Sequence, residues 1–247
     1  MRIAEVAEGL HLVTGTNVNW IVVSEGSSVT LIDSGYPNDG EALLASLAAL
    51  GHGPEDVEAV LLTHAHLDHL GGVRTIRRHR PVEVLTSEEE ARHARREYLD
   101  QITPLQMLAQ CGRPAGRRWV AQTLRAVLPH ASISVDDARG VALGEPLDLP
   151  GRPVPVATSG HTPGHTAWLL PAHGALASGD ALVTGHPISR RGEGPQLLPS
   201  VFAADEVGAR DALLPLRDLP VDVVLPGHGE VHRGPIGDAV DRALDAG

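Results

Sequence analysis

Aromatic side chains are nearly missing from this 247-residue chain: Phe, Tyr and Trp together make up 2% of it. With 42% apolar residues a sizeable core can still form, but Leu, Val, Ala and Ile have to build it. Cysteine occurs once, at Cys111, which excludes an internal disulfide and a thiolate metal cluster; alone, it reads as a packed small side chain. No apolar run approaches the roughly 18–20 residues of a membrane helix, and residues 1–6 read as a strand, not a signal peptide. These absences predict a cytoplasmic protein with no membrane partner. Basic residues are outnumbered too. Against 31 Asp and Glu stand 20 Lys and Arg, a formal charge of −11, and no nucleic-acid partner is expected of such a surface. No repeat or low-complexity linker divides the chain, so 1–247 reads as a single domain.

What the chain has is histidine, and four metal-capable side chains crowd into Thr63-His64-Ala65-His66-Leu67-Asp68-His69-Leu70-Gly71-Gly72. This stretch directly follows the apolar run Val57–Leu62. A strand ending there delivers the loop to a sheet edge, where several side chains can turn to one point. Imidazoles and carboxylates are the ligands of catalytic zinc sites.

Around that loop the periodicity alternates between strand and helix. Residues 10–13, 19–23 and 28–33 read as strands, with Glu25-Gly26-Ser27 as a hairpin turn. Apolar spacing predicts a helix over 41–50, a strand over 57–62, a helix over about 72–79 and a strand over 82–85. Residues 87–130 carry helical patterns and read as a helical cap inserted between two sheet-forming stretches. Beyond it, strands are expected at 132–135, 141–143, 153–157, 166–170, 175–178 and 221–225, a loop at 186–200, and helices at 205–217 and 236–246.

Three further strand ends carry one or two metal-capable side chains beside glycine: Gly160-His161-Thr162-Pro163-Gly164-His165, Ser178-Gly179-Asp180 and Pro226-Gly227-His228-Gly229. Glycine there lets the backbone come close to a shared point. Together with the first loop, these strings resemble the metallo-β-lactamase fold hydrolase superfamily, in particular its hydroxyacylglutathione-hydrolase-like branch. The resemblance runs from the N-terminal strands to the C-terminus and is weakest over 87–130. It implies an α/β fold, an αβ/βα four-layer sandwich of two packed mixed sheets flanked by helices. It also implies two divalent metal ions, Zn2+ first, with iron or manganese suiting the same ligands. By that resemblance His64, His66 and His165 hold one ion, Asp68, His69 and His228 the other, and Asp180 bridges them. A hydroxide shared by the ions would attack the substrate, with Asp68 orienting it and handling a proton. Asp33, at the end of its strand, is a candidate to fix a ligand imidazole.

Asp180 distinguishes the chain from zinc β-lactamases, which have Cys or Ser there. With the chain ending soon after His228, the glutathione-binding helical domain of hydroxyacylglutathione hydrolases is not expected. N-acyl-homoserine lactonases add a tyrosine three residues after the bridging Asp, where this chain has Val183. The expectation is therefore a hydrolase of a small-molecule acyl substrate: thioester, lactone or ester. The alternatives are a phosphodiesterase or nuclease, a mononuclear-iron persulfide dioxygenase, and a metal-binding module without turnover. Apolar residues of 87–130, among them Leu99, Ile102, Leu105, Met107, Leu108 and Trp119, suit a substrate cleft, packing on the body or a homodimer contact equally well. Arg113, Arg117 and Arg118 suit an anionic substrate tail or a solvated surface. His161 and His186 stand near enough to the ligand strings to touch substrate. His11, His52, His79, His93, His130, His173 and His232 have no ligand context.

Overall fold

In the computed structural model, which describes residues 1–245, two sheets face one another with helices on their outer sides. The first has seven strands in chain order: β1 Arg2–Ala7, β2 Leu10–Thr14, β3 Asn19–Glu25, β4 Ser28–Ile32, β5 Val57–Leu61, β6 Glu83–Thr86 and β7 Arg139–Gly140. Strands β1 to β4 pair antiparallel, and β4 to β7 are parallel. The second sheet has five strands: β8 Val154–Ala157, β9 Thr166–Leu170, β10 Ala175–Gly179, β11 Val223–Pro226 and β12 His232–Arg233. Within it only β10 and β11 run parallel.

The two-residue period of the strands explains the layers. In β3, Ile21 and Val23 face inward, where they meet Trp168, Leu170, Ala177 and Leu225 of the other sheet. Trp20 and Val22 face outward, onto Leu43 and Leu47 of α1 (Gly40–Ala49) and Val73 and Ile76 of α3 (Val73–Arg77). In β10, Ala175 and Ala177 face inward while Leu176 packs outward with Val240 and Ala243 of α8 (Ile236–Asp245). The αβ/βα sandwich expected from the sequence is the fold found. Buried Leu, Val and Ile carry the core, each contributing about 1.5–3 kcal/mol of hydrophobic stabilisation.

The parallel pairs position the site. Strands β4 and β5 in one sheet, and β10 and β11 in the other, send their carboxyl ends to one edge of the sandwich. There the Asn19 side-chain amide donates to the carbonyls of Pro226 and Gly229, and its backbone N–H to Gly227, stitching the sheets together.

Several local expectations are corrected. Residues 132–135 and 141–143 are not strands; Ile133 and Val135 pack onto the first sheet from an irregular segment, and only the short β7 pairs. The helix expected over 205–217 stops at α7 (Glu206–Asp211), with a 3-10 turn over Leu214–Asp218 where Pro215 has no N–H to donate. Two short elements go beyond the sequence pattern: α2 (Leu67–Leu70) inside the histidine loop, and β12. Within 87–130, α4 (Glu88–Ala94) packs Ala91 and Ala94 into the core of the body. Only α5 (Pro104–Ala109) and α6 (Pro114–Val127) reach over the sheet edge. The expected helix 236–246 is α8; its last residue lies outside the described residues.

Candidate metal centre

His64 follows β5 by three residues, and the chain then turns into α2 with His66 at its N-terminal boundary and Asp68 and His69 in its single turn. Asp180 follows β10, and His228 lies two residues past β11. Gly227 is required here: a Cβ on it would stand 2.2 Å from Asp180 Oδ1 and 3.0 Å from His69 Cε1. Gly179 has φ +51, and a Cβ there would press on Thr63 and His165.

Three groups of ligand atoms converge: His64, His66 and His161; Asp68, His69 and His228; and Asp180 with His64 and His69. In the first, the three nitrogens stand 3.0, 3.1 and 3.2 Å apart. A tetrahedral zinc with bonds of 2.0–2.1 Å separates its nitrogen ligands by about 3.3 Å, so the triangle has the size of one face of such a site. Asp180 lies between the groups. Its Oδ2 is 3.5 Å from His161 Nε2, 3.8 Å from His64 Nε2 and 3.2 Å from His228 Nε2, and its Oδ1 is 3.6 Å from His69 Nε2. Asp68 Oδ2 completes the second group, 3.8 Å from His69 Nε2 and 3.7 Å from His228 Nε2.

Hydrogen bonds at the opposite ring nitrogens fix which nitrogen is free. His64 Nδ1 donates to Thr63 Oγ1 (3.0 Å), whose own proton goes to Asp33 Oδ2 (2.8 Å). His66 Nε2 donates to the Asp100 carbonyl (2.7 Å), His69 Nδ1 to Asp33 Oδ2 (2.8 Å) and His228 Nδ1 to the Asn17 carbonyl (2.6 Å). In the neutral rings each remaining nitrogen therefore points inward as a lone pair, the orientation a metal-binding imidazole takes when its other nitrogen is held by an acceptor. His69 Nε2 and Asp180 Oδ1 are buried and make no hydrogen bond. Buried polar atoms seldom stay unsatisfied. The donor set thus fits divalent cations held by nitrogen and oxygen.

The electrostatics divide the site. Burial keeps His64, His66 and His161 below the ordinary histidine value, and for His64 the neighbouring imidazoles add to it, so these rings are neutral. Burial also acts on His69, but Asp33, Asp180 and Asp68 outweigh it and raise that ring to about 10. His228 is raised against burial by Asp180 and Asp68. Burial would push Asp180 up, yet His228, His69 and His161 hold it well below the usual carboxylate range.

The sequence assigns His165 to the His64–His66 group; in the structure His161, not His165, lies with those two. His165 Nε2 accepts the Asp180 N–H (3.1 Å), and its Nδ1 donates to Thr158 Oγ1 (2.8 Å), so neither nitrogen is free. His161 stands in its place. The six other assigned residues, His64, His66, Asp68, His69, Asp180 and His228, come together.

Three residues outside the ligand reading belong to this architecture. Glu90 of α4 is fully buried and accepts from three donors: the Ala65 N–H (2.7 Å) between His64 and His66, the Thr162 hydroxyl (2.7 Å) beside His161, and His93 Nδ1 (2.6 Å). His93, which has no ligand context in the sequence, in turn accepts the Asp100 N–H (3.2 Å), and the Asp100 carbonyl holds His66. Tyr36, at the end of the Asp33-Ser34-Gly35 turn, lines the pocket beside Asp68. Burial and the Asp68 charge push its phenol well above 10, so it stays a neutral donor.

The metallo-beta-lactamase superfamily model matches residues 13–228. The chain belongs to the metallo-beta-lactamase superfamily. Among individual relatives, it is 29% identical over 239 residues to a probable metallo-hydrolase, YflN, of Bacillus subtilis, covering 91% of this chain and 85% of that one. It is 27% identical to the hydroxyacylglutathione hydrolase GloC of Haemophilus influenzae, covering 85% of this chain and 84% of the relative. Among solved structures, a metallo-beta-lactamase family protein from Thermus thermophilus superposes with a TM-score of 0.68 at 22% identity, covering 98% of this chain and 80% of that one. The last likeness concerns the fold alone. No helix among the described residues is long and apolar enough to cross a membrane.

Proposed function

We propose that the chain is a dinuclear-metal hydrolase of a small acyl substrate, a thioester, lactone or ester. The observation that carries this reading is an apolar cavity of about 230 Å³ set directly against the ligand cluster. His66, Asp68, His161, Asp180 and His228 form its floor, and Ile102, Pro104, Met107, Trp119, Val127 and Phe202 its walls. Pockets for drug-sized ligands start at roughly 300 Å³, so this one suits a short acyl group. The relative named as a hydroxyacylglutathione hydrolase supports thioester chemistry, and the apolar walls favour an acyl group over a phosphodiester.

His64, His66 and His161 would hold one ion, Asp68, His69 and His228 the second, with Asp180 between them. When bound, two divalent ions supply an activated water near neutral pH and polarise the electrophilic oxygen. The chain's own residues orient the reaction. The walls of α5 and α6 exclude water from the acyl group and aim its carbonyl at the floor. Tyr36 offers a phenolic proton from the side of the cavity. Asp68 is the ligand carboxylate most open to the cavity, its side chain 16% exposed against 3% for Asp180, and is placed to take and return a proton. Hydrolysis adds water across the acyl bond: its oxygen bonds to the acyl carbon, the carbon–sulfur or carbon–oxygen bond breaks, and a proton leaves with the thiol or alcohol.

The test is a panel of acyl thioesters, lactones, esters and bis-p-nitrophenyl phosphate on protein of measured metal content. Turnover of an acyl substrate, lost on chelation, supports the reading. Turnover confined to the phosphodiester, or oxygen uptake with one iron per chain, overturns it.

A further inference from the structure

A second, wider cleft of about 670 Å³ opens from the same floor; it shares His161, Asp180 and Leu198 with the apolar cavity, so the two chambers meet at the ligand cluster. Their walls differ in kind. The wider cleft is lined by Arg113, which precedes α6, by Arg190 and Arg191 on the loop after Asp180, and by Arg210 of α7. The only acids lining it are Glu206 and, at the floor, Asp180. The chain has 31 acidic residues and 20 basic ones, so a patch placed without purpose should be acidic; here the balance is locally inverted. Nor are these arginines neutralised elsewhere. Arg2, Arg77, Arg92, Arg95, Arg139 and Arg217 sit in ion pairs, whereas among the described residues Arg113, Arg190, Arg191 and Arg210 form none. Arg210 donates to the Leu244 carbonyl, which fixes its position without neutralising it.

We propose that this cleft binds an anionic leaving group: the substrate is an acyl ester or thioester whose short acyl part enters the apolar cavity and whose alcohol or thiol part carries a carboxylate or phosphate toward Arg113, Arg190, Arg191 and Arg210. The geometry sets the direction. The apolar cavity has no arginine or lysine in its lining, while the wide cleft carries four arginines and is open to water. Guanidinium groups present forked donors that match carboxylate and phosphate oxygens, and several converging on one cleft also steer an anion into it. The inference rests on the acyl-hydrolase reading above and adds the identity of the leaving group.

The experiment compares butyryl thioesters of three thiols on the metal-loaded enzyme: N-acetylcysteamine, which is neutral, 3-mercaptopropionate, which carries a carboxylate, and phosphopantetheine, which carries a phosphate. Each is measured with wild type and with Arg190→Ala, Arg191→Ala and the double variant, all changes of loop residues. A single substitution should raise KM for the preferred anionic thioester by about 3–10-fold, and the double variant by more. KM for the neutral thioester should stay within twofold, and added salt should erode the anionic preference. Whichever anionic arm shows the effect identifies carboxylate or phosphate as the group read. Equal KM for all three thioesters, or equal loss on all three in the variants, overturns the inference while leaving acyl hydrolysis standing. No turnover of any thioester, lactone or ester removes the reading beneath it.

Discussion

Replacing Glu90 by alanine should cost the folded, metal-free protein about 3–6 kcal/mol. Three buried donors end on this carboxylate, at Ala65, Thr162 and His93. A hydrogen bond to a charged acceptor contributes about 1.5–3 kcal/mol, and removing the acceptor strands a buried donor at a similar cost. The Thr162 hydroxyl can turn to another partner, so two donors count in full and one in part. Against a total stability of about 5–15 kcal/mol for a natural domain, that loss is large. Glu90→Gln is the gentler probe. Its amide oxygen still accepts from Ala65 and His93, and Thr162 can donate elsewhere and accept from the amide nitrogen, for a cost of about 1–2 kcal/mol. Both variants should also weaken metal at the His64–His66–His161 group by about 10–100-fold, because Glu90 ties the loop of the first two histidines to the loop of the third. Urea denaturation of chelated protein measures the stability, and competition with a chromophoric chelator the affinity. The pH dependence has a definite sign. Glu90 is held below its ordinary 4.5, with His93, Thr162 and Ala65 outweighing burial, so its contribution is full above that value and lost as the pH falls below it. Glu90→Gln should therefore flatten the acid limb of the stability profile. A loss under about 1 kcal/mol for Glu90→Ala, with metal affinity and acid limb unchanged, refutes the reasoning.

His161→Ala should lose one metal per chain and all hydrolysis, whereas His165→Ala keeps both ions and loses about 1–3 kcal/mol of stability by stranding the Asp180 N–H; elemental analysis of the two variants decides, and the reverse pattern restores His165 as the ligand. Asp33→Asn should lower metal affinity by about 10–100-fold, since an amide cannot accept from Thr63 N–H, Thr63 Oγ1 and His69 Nδ1 together. Its backbone at φ +60 tolerates Asn, so a metal titration that matches wild type would show that His69 needs no such anchor. Trp119→Ala should widen the apolar cavity and move the optimum acyl length upward, read as kcat/KM across a series of acyl thioesters; an unchanged optimum removes α6 from substrate choice.

The strands of the sandwich were legible because their causes are local, while their assembly into two packed sheets came from the family resemblance. Alternation in β3 and β4 assigns each face, and Ile21 and Trp20 go to opposite cores as a two-residue period requires. Where an apolar pair packs without pairing, as Ile133 and Val135 do, the same pattern misleads, because burial and strand pairing leave one signature in composition. The candidate ligands were legible for a similar reason: each stands in a loop that follows a strand, and in three of the four loops beside glycine. The choice between His161 and His165 was not, since both stand in one glycine-rich turn and spacing treats them alike. What separates them is tertiary. His165 directly precedes β9, where Thr158 and the Asp180 N–H claim its two nitrogens, while His161 sits in the middle of the turn, after Gly160 at φ +131, and is turned toward His64. Glu90 shows the same limit from the other side. It is an acid in a first helical turn, with Ser87 capping its N–H, and that local role gives no sign of the distant one. A buried carboxylate is expensive unless fully bonded, and only the arrival of Ala65 and Thr162 makes this one stable. The carboxylate therefore joins α4 to both metal-binding loops, and the first helix of the least conforming segment is part of the centre's frame. On the proposed function, substrate choice then falls to α5, α6 and the loop of Arg190 and Arg191, none of which contains a residue of the ligand cluster.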